Sequence, residues 1–176
     1  MSTVRMAQLH PFTVVSLPNG GRFLFTSCPG TQEASMGDAL QTFVKAGASV
    51  VVTVLPDEEM ASLQVPELGQ QVVTNGLQWF QLPVKDNAKP DQAFLALLSG
   101  VKSTLISHIQ QRETIVIHCR GGSGRTGLIA AVLLLECGYH WDQVKALVQS
   151  ARPKALTLPQ HLNFLNEQYQ VGKYAY

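Results

Sequence analysis

Residues 113–137 read ETIVIHCRGGSGRTGLIAAVLLLEC. An apolar run leads into a cysteine and a loop with four glycines and two arginines, and a second apolar run follows. The β-branched segment 113–119 is typical of a strand buried on both faces. The segment 126–137 is typical of a helix. The stretch therefore predicts a strand, a glycine-rich loop and a helix in direct succession.

Strand and helix patterns alternate on the N-terminal side of this unit. Strand patterns cover 12–17, 21–27, 49–55 and 77–84. Helix patterns cover 33–46, 56–64, 66–76 and 91–111, and two more helices, 141–151 and 159–170, follow the unit. Such alternation predicts an α/β fold with a mostly parallel central sheet flanked by helices. At 176 residues, we expect a single domain over residues 1–176.

The composition of the chain indicates which kinds of binding partner and which cellular compartment to expect. The formal net charge of +1 gives no global field that would attract nucleic acid or an anionic membrane. Three cysteines without a CxxC pair argue against a disulfide framework or a Cys-rich metal site, and favour a reducing compartment. The N-terminus lacks a signal-peptide pattern, and the apolar run 128–137 is too short to span a membrane. We expect a cytoplasmic protein that binds neither nucleic acid nor membrane, and the oligomeric state stays open.

The glycine-rich loop first suggests a nucleotide site, because Gly122, Gly124 and Gly127 form G-x-G-x-x-G. A dinucleotide-binding unit needs a second parallel strand after the loop helix and an acidic residue at the end of that strand. Only helix patterns follow here, and Glu136 lies inside an apolar one. A triphosphate P-loop is excluded as well, because Arg125 stands where the lysine should be.

A thiolate-centred anion site explains the loop better. Cys119 ends the strand, and Arg125 lies six positions later, which gives C-x5-R. A loop of this length can curl so that its backbone N–H groups point inward, and the following helix adds its positive N-terminal end. The same groups would stabilise a Cys119 thiolate, and the arginine fork can hold two phosphate oxygens. The predicted phosphate-binding residues are Arg120, Gly121, Gly122, Ser123, Gly124 and Arg125.

The segment HCRGGSGRTG (118–127) resembles the H-C-x-x-G-x-G-R-[ST]-G signature of cysteine-based protein tyrosine phosphatases. Chain length and layout are similar to the dual-specificity branch, and FTSCPG (25–30) resembles kinase-associated phosphatases. The segment LPVKDNAKP (82–90) resembles the general-acid loop of that branch, with Asp86 at the acid position. The segment 151–165 resembles a late segment that contains an arginine and a glutamine, here Arg152 and Gln160.

The resemblance implies roles for the site residues. Cys119 would attack phosphorus and form a phosphocysteine, while Arg125 and the loop amides stabilise the phosphate oxygens. Asp86 would protonate the leaving oxygen and then act as base on the attacking water. Asp91 is the alternative acid, although its place before an amphipathic helix favours a cap.

Supporting roles follow from the same resemblance. Thr126 would donate its hydroxyl to the Cys119 sulfur, or would simply cap the helix. His118 would orient the loop by hydrogen bonds, and Gln160 would position water or lie on the helix surface. No metal or other cofactor is required.

The function expected from this resemblance is hydrolysis of phosphotyrosine in proteins, with phosphoserine and phosphothreonine as further candidates. The K-N-R-Y loop of the tyrosine-specific enzymes is missing, which predicts a shallower pocket. Phosphoinositides and small phosphate esters remain alternatives, as does a phospho-binding module without turnover. The presence of Cys119, Arg125 and an acid candidate argues against the last of these.

The remaining reactive residues are expected to be structural. Cys28 and Cys137 are interpreted as small apolar residues, with a redox partnership to Cys119 as the alternative. Trp79 is expected in the core. Four scattered histidines without ligand spacing are expected at the surface: His10, His108, His140 and His161.

Overall fold

Five strands and seven helices form the fold of this computed structural model, which describes residues 8–174. The strands are Phe12–Ser16 (β1), Arg22–Thr26 (β2), Ala48–Thr53 (β3), Gln78–Gln81 (β4) and Thr114–His118 (β5). The helices are Met36–Lys45 (α1), Asp57–Ser62 (α2), Leu68–Thr74 (α3), Gln92–Gln110 (α4), Gly124–Glu136 (α5), Trp141–Ala151 (α6) and Pro159–Tyr169 (α7). A 3-10 turn at Val171–Tyr174 follows them.

The central sheet has the strand order β1-β2-β5-β3-β4. Only β1 runs antiparallel to its neighbour, since it forms a hairpin with β2, and the other pairs are parallel. The predicted α/β class with a mostly parallel, helix-flanked sheet is confirmed.

Strand β5 lies at the centre of this sheet, between β2 and β3. All five of its residues are buried, which is why its sequence is apolar on both faces. Because the four parallel strands point the same way, the loops that follow them meet at one edge of the sheet. In open α/β sheets this edge is where ligands bind.

The two long helices bury their faces in different ways. Helix α4 is amphipathic, and its apolar face contributes Phe94, Leu98, Leu105 and Ile109 to the core. In α5, every residue from Arg125 to Leu134 is buried, as expected for a helix that is apolar all round. Helix α5 packs against strands β5 and β2 and against helices α4, α6 and α7. The glycine-rich loop is therefore held between a central strand and a central helix.

Within residues 8–174, none of the helices combines the length and the apolar character needed to cross a bilayer.

Candidate active site

The loop between β5 and α5 forms the floor of a cavity of about 360 Å³ at the carboxyl edge of the sheet. Helix α5 begins at Gly124, two residues earlier than the sequence pattern indicates, so Arg125 lies in its first turn. Two further segments, 86–87 and 154–161, form the walls. The residues that line the floor and the walls are Asp86, Asn87, Cys119, Arg120, Gly121, Ser123, Gly124, Arg125, Lys154, Leu156, Thr157, Leu158 and His161.

The carbonyl groups at the start of this loop are held by donors outside it. His118 Nδ1 lies 3.0 Å from the Cys119 oxygen, and the Cys28 amide donates to the Arg120 oxygen at 3.0 Å. In a trans peptide the C=O and the following N–H point in opposite directions. The N–H groups of Arg120 and Gly121 are therefore directed away from these outer donors, as an anion nest requires.

Arg152 holds the other side of the loop from outside. Its Nε donates to the Gly122 oxygen at 2.8 Å, and its Nη1 donates to Thr13 in β1 at 2.7 Å. Gly122 has a φ of +82°, and an added Cβ would lie 2.4 Å from the Thr26 backbone. Glycine is thus required there both for its conformation and for the close approach to β2.

Two donors contact the Cys119 sulfur directly. The Gly122 amide lies 3.3 Å from Sγ, and the Thr126 hydroxyl lies 3.2 Å from it. Ser123 is the N-cap of α5, so Thr126 lies inside the first turn. The alternative that Thr126 merely caps the helix is therefore wrong. Both donors point at the sulfur of the candidate nucleophile.

Sequence reasoning missed Glu59, which binds Arg125. Its Oε1 and Oε2 accept from Arg125 Nη1 and Nη2 at 2.7 and 2.8 Å, and the Val84 oxygen accepts from Nη1 at 2.9 Å. Burial alone would lower the pKa of Arg125, but the Glu59 hydrogen bonds and the charges of Cys119, Glu59 and Asp86 raise it above its ordinary value. The guanidinium is a fixed, permanent cation at this site.

This arrangement leaves one edge of the Arg125 guanidinium open. Nη1 uses both of its hydrogens on Glu59 and Val84, and Nη2 uses one on Glu59. The second hydrogen of Nη2 and the Nε hydrogen lie along a shared edge and make no protein hydrogen bond within residues 8–174. Two parallel N–H groups can bind two oxygens of one phosphate.

The two candidate acids have different surroundings. Asp86 is 64% exposed, and its Oδ1 lies 3.8 Å from Arg125 Nε, so it faces the site without a hydrogen bond to it. Asp91 Oδ1 accepts from the Phe94 amide at 2.9 Å and caps α4. The interpretation of Asp91 as a helix cap is confirmed.

At Gln160 the structure matches the second of the two alternatives, a position on the helix surface. Its side chain is exposed, and it is not among the residues that line the cavity. The next residue, His161, is 2% exposed and does line it, with its Nε2 buried and unpartnered among the described residues. Neighbouring positions on a helix point about 100° apart, so one residue decides which side chain meets the site.

The surface prediction for the four histidines is wrong for two of them. His10 and His161 are buried, because His10 packs edge-on against Phe43 and His161 lies at the cavity wall. Burial lowers the pKa of both, more than the opposing Ser27 carbonyl raises that of His10. His140 is exposed and His108 lies partly at the surface.

Cys28 is buried and donates to the Pro29 oxygen, while Cys137 is half-buried. Burial, together with the charges of Cys119 and Glu59, raises the pKa of Cys28 to about 12. It therefore stays a neutral thiol, as expected of a small apolar residue.

The geometry and the comparisons with known proteins agree. The family model described as "Swiss Army Knife protein, DSP-PTPase phosphatase domain" (PTP-SAK) matches residues 21–169. The chain belongs to this family. This DSP-PTPase domain is 35% identical over 101 residues to the Dictyostelium discoideum protein named "Probable protein tyrosine phosphatase type IVA B", a match that covers 57% of this chain and 61% of that protein. Matches to the curated relatives thus span less than two thirds of their length.

Solved structures show the likeness of fold. A kinase-associated phosphatase (KAP) carrying a serine at its catalytic cysteine matches with a TM-score of 0.77 and 18% identity, over 94% of this chain and 97% of that one. Human DUSP28 matches with a TM-score of 0.62 and 19% identity, over 96% of this chain and 99% of that one. The prediction of a cysteine-based phosphatase domain of the dual-specificity type is confirmed.

Proposed function

We propose that this domain hydrolyses phosphotyrosine in proteins through a phosphocysteine on Cys119, with phosphoserine and phosphothreonine as further substrates. The proposal rests on the environment of the Cys119 sulfur atom. Cys119 Sγ accepts hydrogen bonds from Gly122 and Thr126, and it shares its cavity with Arg125 and Asp86. A nucleophile, an anion-binding loop and a movable acid are the groups that phosphate-ester transfer requires.

In the first step, the Cys119 thiolate attacks phosphorus and the bond to the ester oxygen breaks. The Arg125 edge and the loop amides bind the oxygens of the transferring group. Asp86 gives its proton to the leaving oxygen, which departs as an alcohol or phenol. Its exposed position places it on the solvent side of the cavity, where the leaving group would lie.

In the second step, water attacks the phosphocysteine and Asp86, now ionised, takes the proton of that water. The sulfur–phosphorus bond breaks and the electron pair returns to Cys119. Thr126 supports this departure, because its hydroxyl donates to the sulfur and stabilises the thiolate as it forms again. Inorganic phosphate then leaves.

A second candidate substrate is a phosphoinositide head group. Arg120 and Lys154 line the cavity, both are exposed, and neither forms an ion pair within the described residues. Two unpaired cations beside the scissile phosphate would suit a ligand with further phosphates. Acidic residues flanking a phosphotyrosine would suit them equally.

The direct test is a substrate panel assayed in EDTA. Phosphotyrosine peptides with acidic and with neutral flanks, phosphothreonine peptides, phosphoinositides and an aryl phosphate are compared for kcat/KM, with Cys119→Ser as the matched variant. We expect turnover of phosphotyrosine peptides that EDTA leaves intact and Cys119→Ser abolishes, while this variant still binds the substrate. Highest kcat/KM on phosphoinositides would favour the second candidate. Turnover that persists in Cys119→Ser would overturn both.

A further inference from the structure

Three side chains on neighbouring strands form a hydrogen-bonded line that ends at the glycine-rich loop. Trp79 Nε1 on β4 lies 2.8 Å from Thr53 Oγ1 on β3, and Thr53 Oγ1 lies 2.7 Å from His118 Nε2 on β5. His118 Nδ1 then lies 3.0 Å from the Cys119 oxygen. Thr53 and His118 have no exposed surface, and Trp79 is half-buried. We call this line the Trp79 relay.

The chemistry of the end groups, together with a neutral His118 ring, fixes the direction of every bond. An indole N–H can only donate, and a backbone carbonyl can only accept. His118 Nδ1 therefore holds a hydrogen for Cys119. Burial lowers the pKa of His118 to about 4, against a weaker opposing effect of the Cys119 carbonyl, and the nearby His10 and Arg125 lower it further. The ring is neutral, so Nε2 accepts from the Thr53 hydroxyl, whose oxygen accepts from Trp79.

The far end of the relay is placed by a glycine in α3. An added Cβ at Gly69 would lie 2.5 Å from two ring atoms of Trp79. The indole therefore lies flat against the helix backbone, and any side chain at position 69 would push it away. The residue at position 69 in α3 thus determines whether Trp79 Nε1 reaches Thr53.

The near end of the relay acts on the first peptide of the phosphate-binding loop. The Cys119 carbonyl is held toward His118, so the Arg120 N–H of the same peptide points the other way, into the loop. A looser carbonyl would allow this peptide to turn and present its oxygen to the anion. A carbonyl oxygen repels both a thiolate and a phosphate, so its orientation bears on both.

We propose that Thr53 and Trp79 are positioning residues for the phosphatase reaction, acting through His118 on the Cys119–Arg120 peptide, and that Gly69 is needed to place Trp79. The proposal rests on the proposed function of the site. Neither residue touches substrate, and each acts by fixing the neutral Nδ1–H form of His118.

The test compares Thr53→Val with Thr53→Ser. Valine keeps the shape but removes the hydroxyl, whereas serine keeps the hydroxyl. We expect Thr53→Val to lower kcat/KM about five- to tenfold, the worth of one buried hydrogen bond. It should also weaken binding of inorganic phosphate and move the pH midpoint of Cys119 alkylation by iodoacetate upward. Thr53→Ser should restore all three, and Trp79→Phe should give a smaller change in the same direction.

The outer end is tested by Gly69→Ala, with Gly100→Ala in α4 as the matched control. Nothing lies within 4 Å of a Cβ added at Gly100, so this variant should leave the site unchanged. Gly69→Ala should shift phosphate binding and the alkylation midpoint as Trp79→Phe does. The ¹⁵N chemical shifts of His118 report the relay without any assay of turnover. The wild type should carry its hydrogen on Nδ1.

The outcomes separate the two proposals. A hydrogen on Nε2 of wild-type His118, or Thr53→Val with unchanged phosphate binding and alkylation, overturns the relay while leaving the proposed function intact. Equal losses in Thr53→Val and Thr53→Ser indicate a packing role and also overturn it. The opposite outcome is also distinguishable. If no turnover depends on Cys119 but alkylation and phosphate binding still shift as expected, the proposed function is overturned and the loop geometry stands.

Discussion

Arg125 is the residue on which the site geometry depends most, and its orientation is set by Glu59. The carboxylate accepts hydrogen bonds from both terminal nitrogens and leaves the Nε edge free for the phosphate of the proposed substrate. A lone arginine could rotate about its long side chain, but a doubly bound one cannot. A fixed orientation matters under the proposed mechanism, because the guanidinium must bind two phosphate oxygens at the same time.

We predict that Glu59→Gln lowers kcat/KM about ten- to a hundredfold, the range for a hydrogen bond to a charged group. The amide can accept at only one atom and turns an NH₂ toward the guanidinium. Glu58→Gln is the matched control, because Glu58 is the exposed neighbour on the same helix and should leave kcat/KM unchanged. Equal kinetics for wild type and Glu59→Gln would mean that Arg125 is positioned without the carboxylate.

A leaving-group test distinguishes the two candidate acids, Asp86 and Asp91. Asp86→Asn should lower kcat by about 10²–10⁴ for phosphotyrosine, and less for an activated aryl phosphate whose oxygen hardly needs a proton. The fall in rate on the alkaline side of the pH profile should disappear as well. Asp91→Asn should cost little, since asparagine still caps α4. The reverse pattern would exchange the two roles.

At the scale of elements, the site depends on how closely α5 approaches the segment that follows α6. Gly127 allows this approach, because an added Cβ would lie 2.6 Å from Ala155 Cβ and 3.0 Å from Val148 Cγ1. Ala155 precedes Leu156, a buried residue of the cavity wall with a positive φ of 61°. The last glycine of the signature therefore serves packing rather than phosphate binding.

Gly127→Ala should accordingly destabilise the fold by about 1–3 kcal/mol, the usual cost of overpacking a tight contact. The free energy of unfolding in urea measures the effect. Gly100→Ala, which meets no neighbour, should instead be neutral or slightly stabilising. An unchanged or higher stability in Gly127→Ala would show that the segment after α6 moves without cost.

The sequence predicted which elements form, but not every side chain that reaches the site. Periodicity and the strand–loop–helix unit indicate each strand and long helix, because burial imposes the pattern directly. Glu59 is one of three acids in the first turn of α2, and the sequence does not show which of them contacts Arg125. His161 rather than Gln160 lines the cavity. The sequence did not predict this, because the polar residues of α7 do not show which side of the helix faces the site.

At the scale of the whole molecule, buried neutral histidines make stability depend on pH. Burial first, together with His10 and Arg125, lowers the pKa of His118 from 6.5 to about 4. The unfolded chain then binds more protons than the folded one between these values. Stability is therefore complete above pH 6.5 and falls as the pH decreases toward 4, by up to roughly 3 kcal/mol from this residue. His10 and His161 act in the same direction.

Thermal unfolding between pH 7.5 and about 5, above the range in which most carboxylates titrate, measures this dependence. The melting temperature should stay nearly constant from pH 7.5 to about 6.5 and then fall toward pH 5. His140→Gln is the control, since His140 is exposed and should leave the slope unchanged. A melting temperature that stays constant from pH 7.5 to 5 would mean that the buried histidines take up protons as readily in the folded protein as in the unfolded chain.

The central claim is that Cys119 carries the phosphoryl group during turnover. Rapid quenching of Asp86→Asn with an aryl phosphate in EDTA, followed by mass spectrometry of the peptides, tests it most directly. Asp86→Asn lacks the base for the second step, so the intermediate should accumulate. We predict one phosphoryl group on the peptide that contains Cys119, absent when Cys119→Ser is added. Product release with no phosphoryl group on Cys119, or with the group on another residue, would contradict the account.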